Sequence, residues 1–175
     1  MRSPLVVLWL MVLAATARAE NASFTLLRTA SVEELDRILD AERTVFLQAQ
    51  KPGPGYVLPA PSKARNAVEL YTVRYESKVP ERGAEKVVVT GLVALPVVAD
   101  RAALPLVAYQ HGTVFGKYEV PSFSFQRTSP GRHPHYDGAY ETRHMVAQFA
   151  GNGYALVAAD YFGMGARPTR RRRTS

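Results

Sequence analysis

Residues 104–113 read LPLVAYQHGT and residues 153–165 read GYALVAADYFGMG. Each is a short apolar run that ends abruptly in a polar turn containing glycine. Leu104 to Gln110 and Tyr154 to Ala159 are nearly continuous in apolar character, which predicts strands buried on both faces. An irregular stretch from His111 to about Asp137 separates them. Glu141 to Gly151 then places Met145, Val146 and Phe149 on one side, as a helix does, and Gly153 supplies a stop. Strand, helix, strand in that order predicts a βαβ unit with its two strands parallel.

Outward from this unit, two earlier strands are predicted. In Ala67 to Lys78, Val68, Leu70, Thr72, Arg74 and Glu76 alternate with Tyr71, Val73 and Tyr75, which suits one wet face. Lys86 to Leu95 is β-branched at its start. Before them, Ser31-Val32-Glu33-Glu34 fits a capping box. Leu35, Ile38, Leu39, Phe46 and Leu47 continue it as a helical stripe, predicting a helix from Val32 to Gln48. Lys51-Pro52-Gly53-Pro54-Gly55 cannot extend that helix. Residues 20–30 read as a polar-apolar lead-in. The expected class is α/β, with a mixed, mostly parallel sheet led by an antiparallel edge.

The chain has 175 residues, no cysteine and a formal net charge of +7. That charge sits at the ends. Arg2 and Arg18 lie at the start, and Arg167 and Arg170 to Arg173 lie in the last ten residues. Without these seven, 15 basic residues face 15 acidic ones, so the body is neutral and no nucleic-acid partner is expected. Leu5 to Ala15 (LVVLWLMVLAA) behind Met1-Arg2, followed by Ala17-Arg18-Ala19, has the layout of a secretory signal peptide. The run is too short to span a bilayer core, which takes roughly 20 apolar residues. Secreted or periplasmic localisation after cleavage near Ala19 is expected, with no stable membrane span. The lack of cysteine excludes a thiol nucleophile and cysteine-based zinc sites.

The HG turn and the DYFGMG turn, one strand–helix–strand apart, resemble the α/β-hydrolase superfamily. Gly91-Leu92-Val93-Ala94-Leu95-Pro96 is similar to the preceding strand of its secretory lipases and esterases. The resemblance covers residues 67–165, the N-terminal part of that fold, and is most specific where HG and GYALVAADYFGMG occur together. It implies carboxylic-ester hydrolysis of a small-molecule ester or lipid substrate, with no cofactor. It also implies that backbone N–H groups at Gly112 and Thr113 form half of an oxyanion hole, where fixed donors meet the charge that develops on the carbonyl oxygen. Gly112 would allow a tight turn and leave room for substrate. His111 would be a positioning residue and not the catalytic base. Asp160, Gly163 and Gly165 would form a structural turn, Asp160 bonding to nearby backbone N–H groups. Asp160 is not the triad acid, which follows the nucleophile in chain order.

Two further features allow more than one reading. His133, His135, Asp137 and His144 have spacings that could hold zinc, but the segment reads more simply as a polar loop, and no metal is expected. Tyr118, Phe123, Phe125, Tyr136 and Tyr140 could line an acyl pocket or pack the loop onto the domain.

No G-x-S-x-G elbow occurs in the sequence, and no catalytic residue is assigned. Residues 166–175 read as a basic, disordered tail where the family has a turn and an amphipathic helix. The resulting organisation is a signal at 1–19, a helix and linker at 20–66, an incomplete hydrolase domain at 67–165 and the tail. A truncated, inactive esterase or lipase is expected. A non-catalytic secreted binding module, or a fragment of a serine peptidase of the same fold, is the alternative. The strand 154–159 is expected to present an unpaired apolar edge prone to aggregation.

Overall fold

A computed structural model describes residues 22–48, 62–126 and 139–165, with backbone only for 42–48. The elements run β1 (Ser23–Ala30), α1 (Val32–Gln48), β2 (Val68–Val79), β3 (Glu85–Pro96), β4 (Leu106–Tyr109), α2 (Ala139–Phe149) and β5 (Ala155–Ala159). The five strands make one sheet in the order β1-β2-β3-β5-β4.

The sheet is mixed, as expected, but its balance is reversed. β1–β2, β2–β3 and β3–β5 pair antiparallel, and β4–β5 alone pair parallel. The parallel pair is the βαβ unit, and the antiparallel part is enlarged by β1, a strand where the sequence predicts only a lead-in at residues 20–30. Its alternation is broken for a physical reason. The register against β2 slips between Leu26 and Arg28, so Leu27 is an extra residue in a β-bulge. Apolar residues at 24, 26 and 27 therefore do not show period two.

α1 starts where the capping box places it. The N–H of Glu34 donates to Ser31 Oγ at 3.2 Å. The reciprocal bond is replaced by a tertiary one, because the Glu34 carboxylate takes two bonds from the Arg28 guanidinium, at 2.7 and 2.5 Å. That pairing holds Glu34 below the ordinary carboxylate range and ties the helix to β1. Phe46 and Leu47 lie outside the described side chains. Leu35 and Leu39 are fully buried in one core with Ala30, Val68, Leu70, Leu92, Ala94, Val146 and Leu156. α2 ends in a 3-10 turn over Ala150–Asn152, and Gly153, at φ +97°, closes it by donating to Ala150 O. Tyr109 at the end of β4 donates to Glu141 Oε2 of α2 at 3.0 Å, and burial followed by this bond pushes its phenol well above the ordinary value.

The core lies on one face of the sheet. The other face presents Phe24, Val73, Tyr75, Val93, Leu106 and Val157 to an open, almost wholly apolar groove of about 630 Å³. β4 is therefore not buried on both faces: Leu106 is 65% exposed. Nor is β5 an unpaired edge, since β3 and β4 flank it; among the described residues the edge strands are β1 and β4. Continuous apolar character reports what a strand is built to face, and among the described residues only one face is covered.

β3 and β5 approach closely at Gly91. A Cβ built there would stand 2.6 Å from Ala158 O, against backbone that cannot swing aside. Gly91→Ala is expected to lower the unfolding free energy by about 1–3 kcal/mol in a denaturant titration, the usual penalty for overpacking. The Arg28–Glu34 pair makes a pH prediction. Glu34 is lowered on folding, so its contribution is present above the unfolded value of about 4.3 and lost as pH falls through the lower folded value. With both partners about one-third exposed, the contribution is small, roughly that of a surface pair at up to about 1 kcal/mol. Glu34→Gln should remove that part of the acid dependence of the melting temperature and leave the rest.

Candidate oxyanion site

The two glycine turns lie at the carboxyl ends of the parallel pair, where open α/β sheets place their ligand crevices. β4 ends at Tyr109, and Gln110 leads into His111-Gly112-Thr113. β5 ends at Ala159, and Asp160 leads into Tyr161-Phe162-Gly163-Met164-Gly165. The structure brings the two turns into contact.

Asp160 is the anchor. Its side chain is fully buried. Oδ1 accepts from the N–H of Ser122 at 2.9 Å, and Oδ2 accepts from Thr90 Oγ1 at 2.6 Å and Ser122 Oγ at 2.5 Å. The expected bonds within its own turn are replaced by bonds reaching 38 and 70 residues away. Asp160 thereby joins β3 and the end of β5 to the 3-10 turn Pro121–Phe123, in the loop that follows β4. Its own N–H donates to Thr90 O at 3.0 Å. Every donor to the carboxylate is neutral, so satisfaction of its lone pairs offsets the cost of burial.

Gly163 and Gly165 have different reasons to be glycine. At Gly163 a Cβ would meet nothing, but φ is +79°. At Gly165 φ is +72°, and a Cβ would collide with Asp160 Oδ2 and Thr90 Oγ1. The Gly165 N–H donates to Lys117 O at 2.9 Å, a second tie to the loop after β4. Gly112 is unlike both. It is outside the left-handed region and a Cβ would meet nothing within 4 Å. A tight turn is therefore not what calls for this glycine; what it leaves is open space over the peptide.

The peptides around Gly112 are held from one side. His111 is 5% exposed, and its Nδ1 lies 2.7 Å from Gly112 O. A carbonyl only accepts, so Nδ1 carries the proton. Tyr161 Oη donates to His111 O at 2.7 Å. A trans peptide points its N–H opposite its C=O. With both carbonyls engaged, the N–H groups of Gly112 and Thr113 are directed away from those partners. Both residues are exposed, and among the described residues neither N–H donates to a protein acceptor. Two oriented, uncommitted donors on successive residues are what stabilisation of an oxyanion uses.

Not every sequence-predicted feature meets here. His133, His135, Asp137 and Tyr136 lie outside the described residues, and His144 is on α2, where burial lowers its pKa. Of the aromatic run, Phe125 is buried in the core under Arg28, and Tyr118 packs on Phe123 at 5.0 Å between ring centroids. Those rings pack the loop. Sequence reasoning missed Thr90, Ser122 and Tyr161. Thr90 and Ser122 carry no local pattern; Tyr161 sits inside the quoted turn, but nothing there foretells its backbone angle.

No sequence family and no curated relative matches the chain. Solved structures do. A hydrolase from Legionella pneumophila superposes with a TM-score of 0.54 at 22% identity, over 82% of this chain and 30% of that one. The ligand-bound rice cell wall degrading esterase LipA from Xanthomonas oryzae superposes at 0.53 and 17% identity, over 85% and 31%. A single-substitution mutant of LipA superposes at 0.52 and 18% identity, over 85% and 30%. The likeness establishes a partial α/β-hydrolase fold, and this chain spans about 30% of the length of the structures it matches.

The Asp160 anchor separates two variants. Asp160→Ala leaves the buried Ser122 N–H without an acceptor, and the loss expected in a chemical melt is about 1–3 kcal/mol for each orphaned donor. Asp160→Asn should cost clearly less, because its carbonyl can keep the Ser122 N–H while its amide donates to hydroxyls that rotate to accept.

Proposed function

We propose that this chain supplies the front part of a secreted carboxylic-ester hydrolase of the serine type, an esterase or lipase. The observation that carries the reading is the pair of uncommitted N–H groups at Gly112 and Thr113, held at the carboxyl ends of β4 and β5. When a nucleophile adds to an ester carbonyl, the oxygen gains negative charge, and one preoriented donor lowers that barrier by roughly 3 kcal/mol. The chain's own residues provide that half of the chemistry. Gly112 leaves space for the acyl group, His111 orients the second donor, and the Asp160 turn braces the loop.

In this reading the serine elbow, the acid and the base come from sequence beyond these 175 residues, following the strand–turn–helix layout of the fold. The leader at 1–19 directs export, and the substrate is a small-molecule ester or lipid. Among the described residues no helix is long and apolar enough to cross a membrane.

Two measurements test the reading. The chain should not hydrolyse a short-chain nitrophenyl ester and should not be labelled by a serine-directed phosphonate. DNA downstream of the codon for Gly165 should encode, in some frame, a G-x-S-x-G motif followed by an acid and a histidine. Downstream frames with no such elbow would sink the proposal.

A further inference from the structure

We infer that Tyr161 is a positioning residue for the Gly112 and Thr113 donors, acting through His111. The inference rests on reading those donors as an oxyanion pair, and it adds a residue that the family resemblance does not assign.

The backbone raises the question. Tyr161, Gly163 and Gly165 all have positive φ, at +62°, +79° and +72°. Two of the three are glycine, which adopts such angles without steric cost. The third carries a large side chain in a conformation that aromatic residues rarely take. Strain of this kind persists where the surroundings over-determine it. Asp160 does so on one side, since its carboxylate and its N–H are both bonded to buried partners. The strained angle delivers the Tyr161 ring onto His111.

The contact is double. The phenol donates to His111 O at 2.7 Å. The ring stacks on the imidazole, with centroids 4.2 Å apart and planes at 27°. His111 needs such a neighbour. Its Nε2 is buried and, among the described residues, has no hydrogen-bond partner, which leaves the Nδ1 contact to Gly112 O as the polar hold on the ring there. Each of the two contacts controls one donor. The phenol fixes the carbonyl of the His111–Gly112 peptide and so aims the Gly112 N–H. The stacked face holds the imidazole whose Nδ1–H fixes Gly112 O, and so aims the Thr113 N–H. Hydrogen bonds accepted by these carbonyls also polarise the peptides and strengthen their N–H groups as donors. Without this support the loop would pivot at Gly112, where there is no Cβ and nothing nearby to stop it.

Removing the phenol should change geometry more than stability. Tyr161 is 40% exposed, so losing its hydroxyl leaves no buried acceptor stranded and costs the fold little, while a solvent water at His111 O is not tethered and does not hold the carbonyl in one direction. This distinguishes positioning from a purely structural role. The test uses the full chain, labelled with 15N, as wild type, Tyr161→Phe and Tyr161→Leu. Tyr161→Phe keeps the stack and loses the phenol. The Gly112 amide 15N signal should move upfield, the Thr113 signal should stay close to its place, and the melting temperature should hold. Tyr161→Leu loses both contacts, so the Thr113 amide and the His111 ring signals should move as well. Gly112 and Thr113 signals unmoved in both variants would overturn the inference. So would a melting temperature that falls in Tyr161→Phe as far as in Asp160→Ala, since Tyr161 would then be holding the fold and not the donors. The spectra do not depend on hydrolysis. Failure of the esterase reading would appear in the downstream sequence and leave this result standing.

Discussion

The architecture of the site depends on one buried carboxylate. Asp160 stands at the end of a central strand and takes three hydrogen bonds, from Thr90 on β3 and from the backbone and hydroxyl of Ser122. A loop as long as the one after β4 loses much entropy on ordering, and a loop tends to run free over the surface. Here it is drawn inward by an acceptor that cannot be left unsatisfied. The Gly165–Lys117 bond and the Tyr161–His111 contact add to this tether, on residues that follow Asp160 within one turn. A single residue in the sheet thus sets the height and direction of the loop that carries the donors.

The sheet places that site and also exposes the chain. Its helices cover one face, where Leu35, Leu39 and Val146 pack on Leu70, Leu92 and Leu156. Among the described residues the opposite face is apolar and open, and the edge strand β4 begins at Leu106, one of the more exposed large hydrophobics. Apolar strands at a free edge favour association with other chains.

Much of this was legible in the sequence, and the reasons are physical. Helix α1 is marked by Ser31 and a helical apolar stripe, β2 by alternation, β3 by β-branched residues, α2 by its apolar side and the stop at Gly153, and β5 by a continuous apolar run. The HG and DYFGMG turns stand out by occurring together, each directly after an apolar strand and one strand–helix–strand apart. Other elements were hidden. The bulge at Leu27 erases the alternation of β1. The exposure of β4 depends on what covers it, which its own residues do not record. The partners of Asp160 are 38 and 70 residues away, beyond any local pattern. Tyr161 lies within the motif, yet its importance comes from a backbone angle that its side chain disfavours.

The amides after His111 are held in place yet, among the described residues, left uncommitted. Amide hydrogen exchange of the intact chain, read residue by residue, tests it most directly. The Ser122 amide, which donates to a buried carboxylate, should be strongly protected while the Gly112 and Thr113 amides exchange at rates near those of unbonded backbone. Protection at Gly112 and Thr113 would mean that the protein itself consumes those donors, and an unprotected Ser122 would mean that the anchor does not hold; either result would contradict the account.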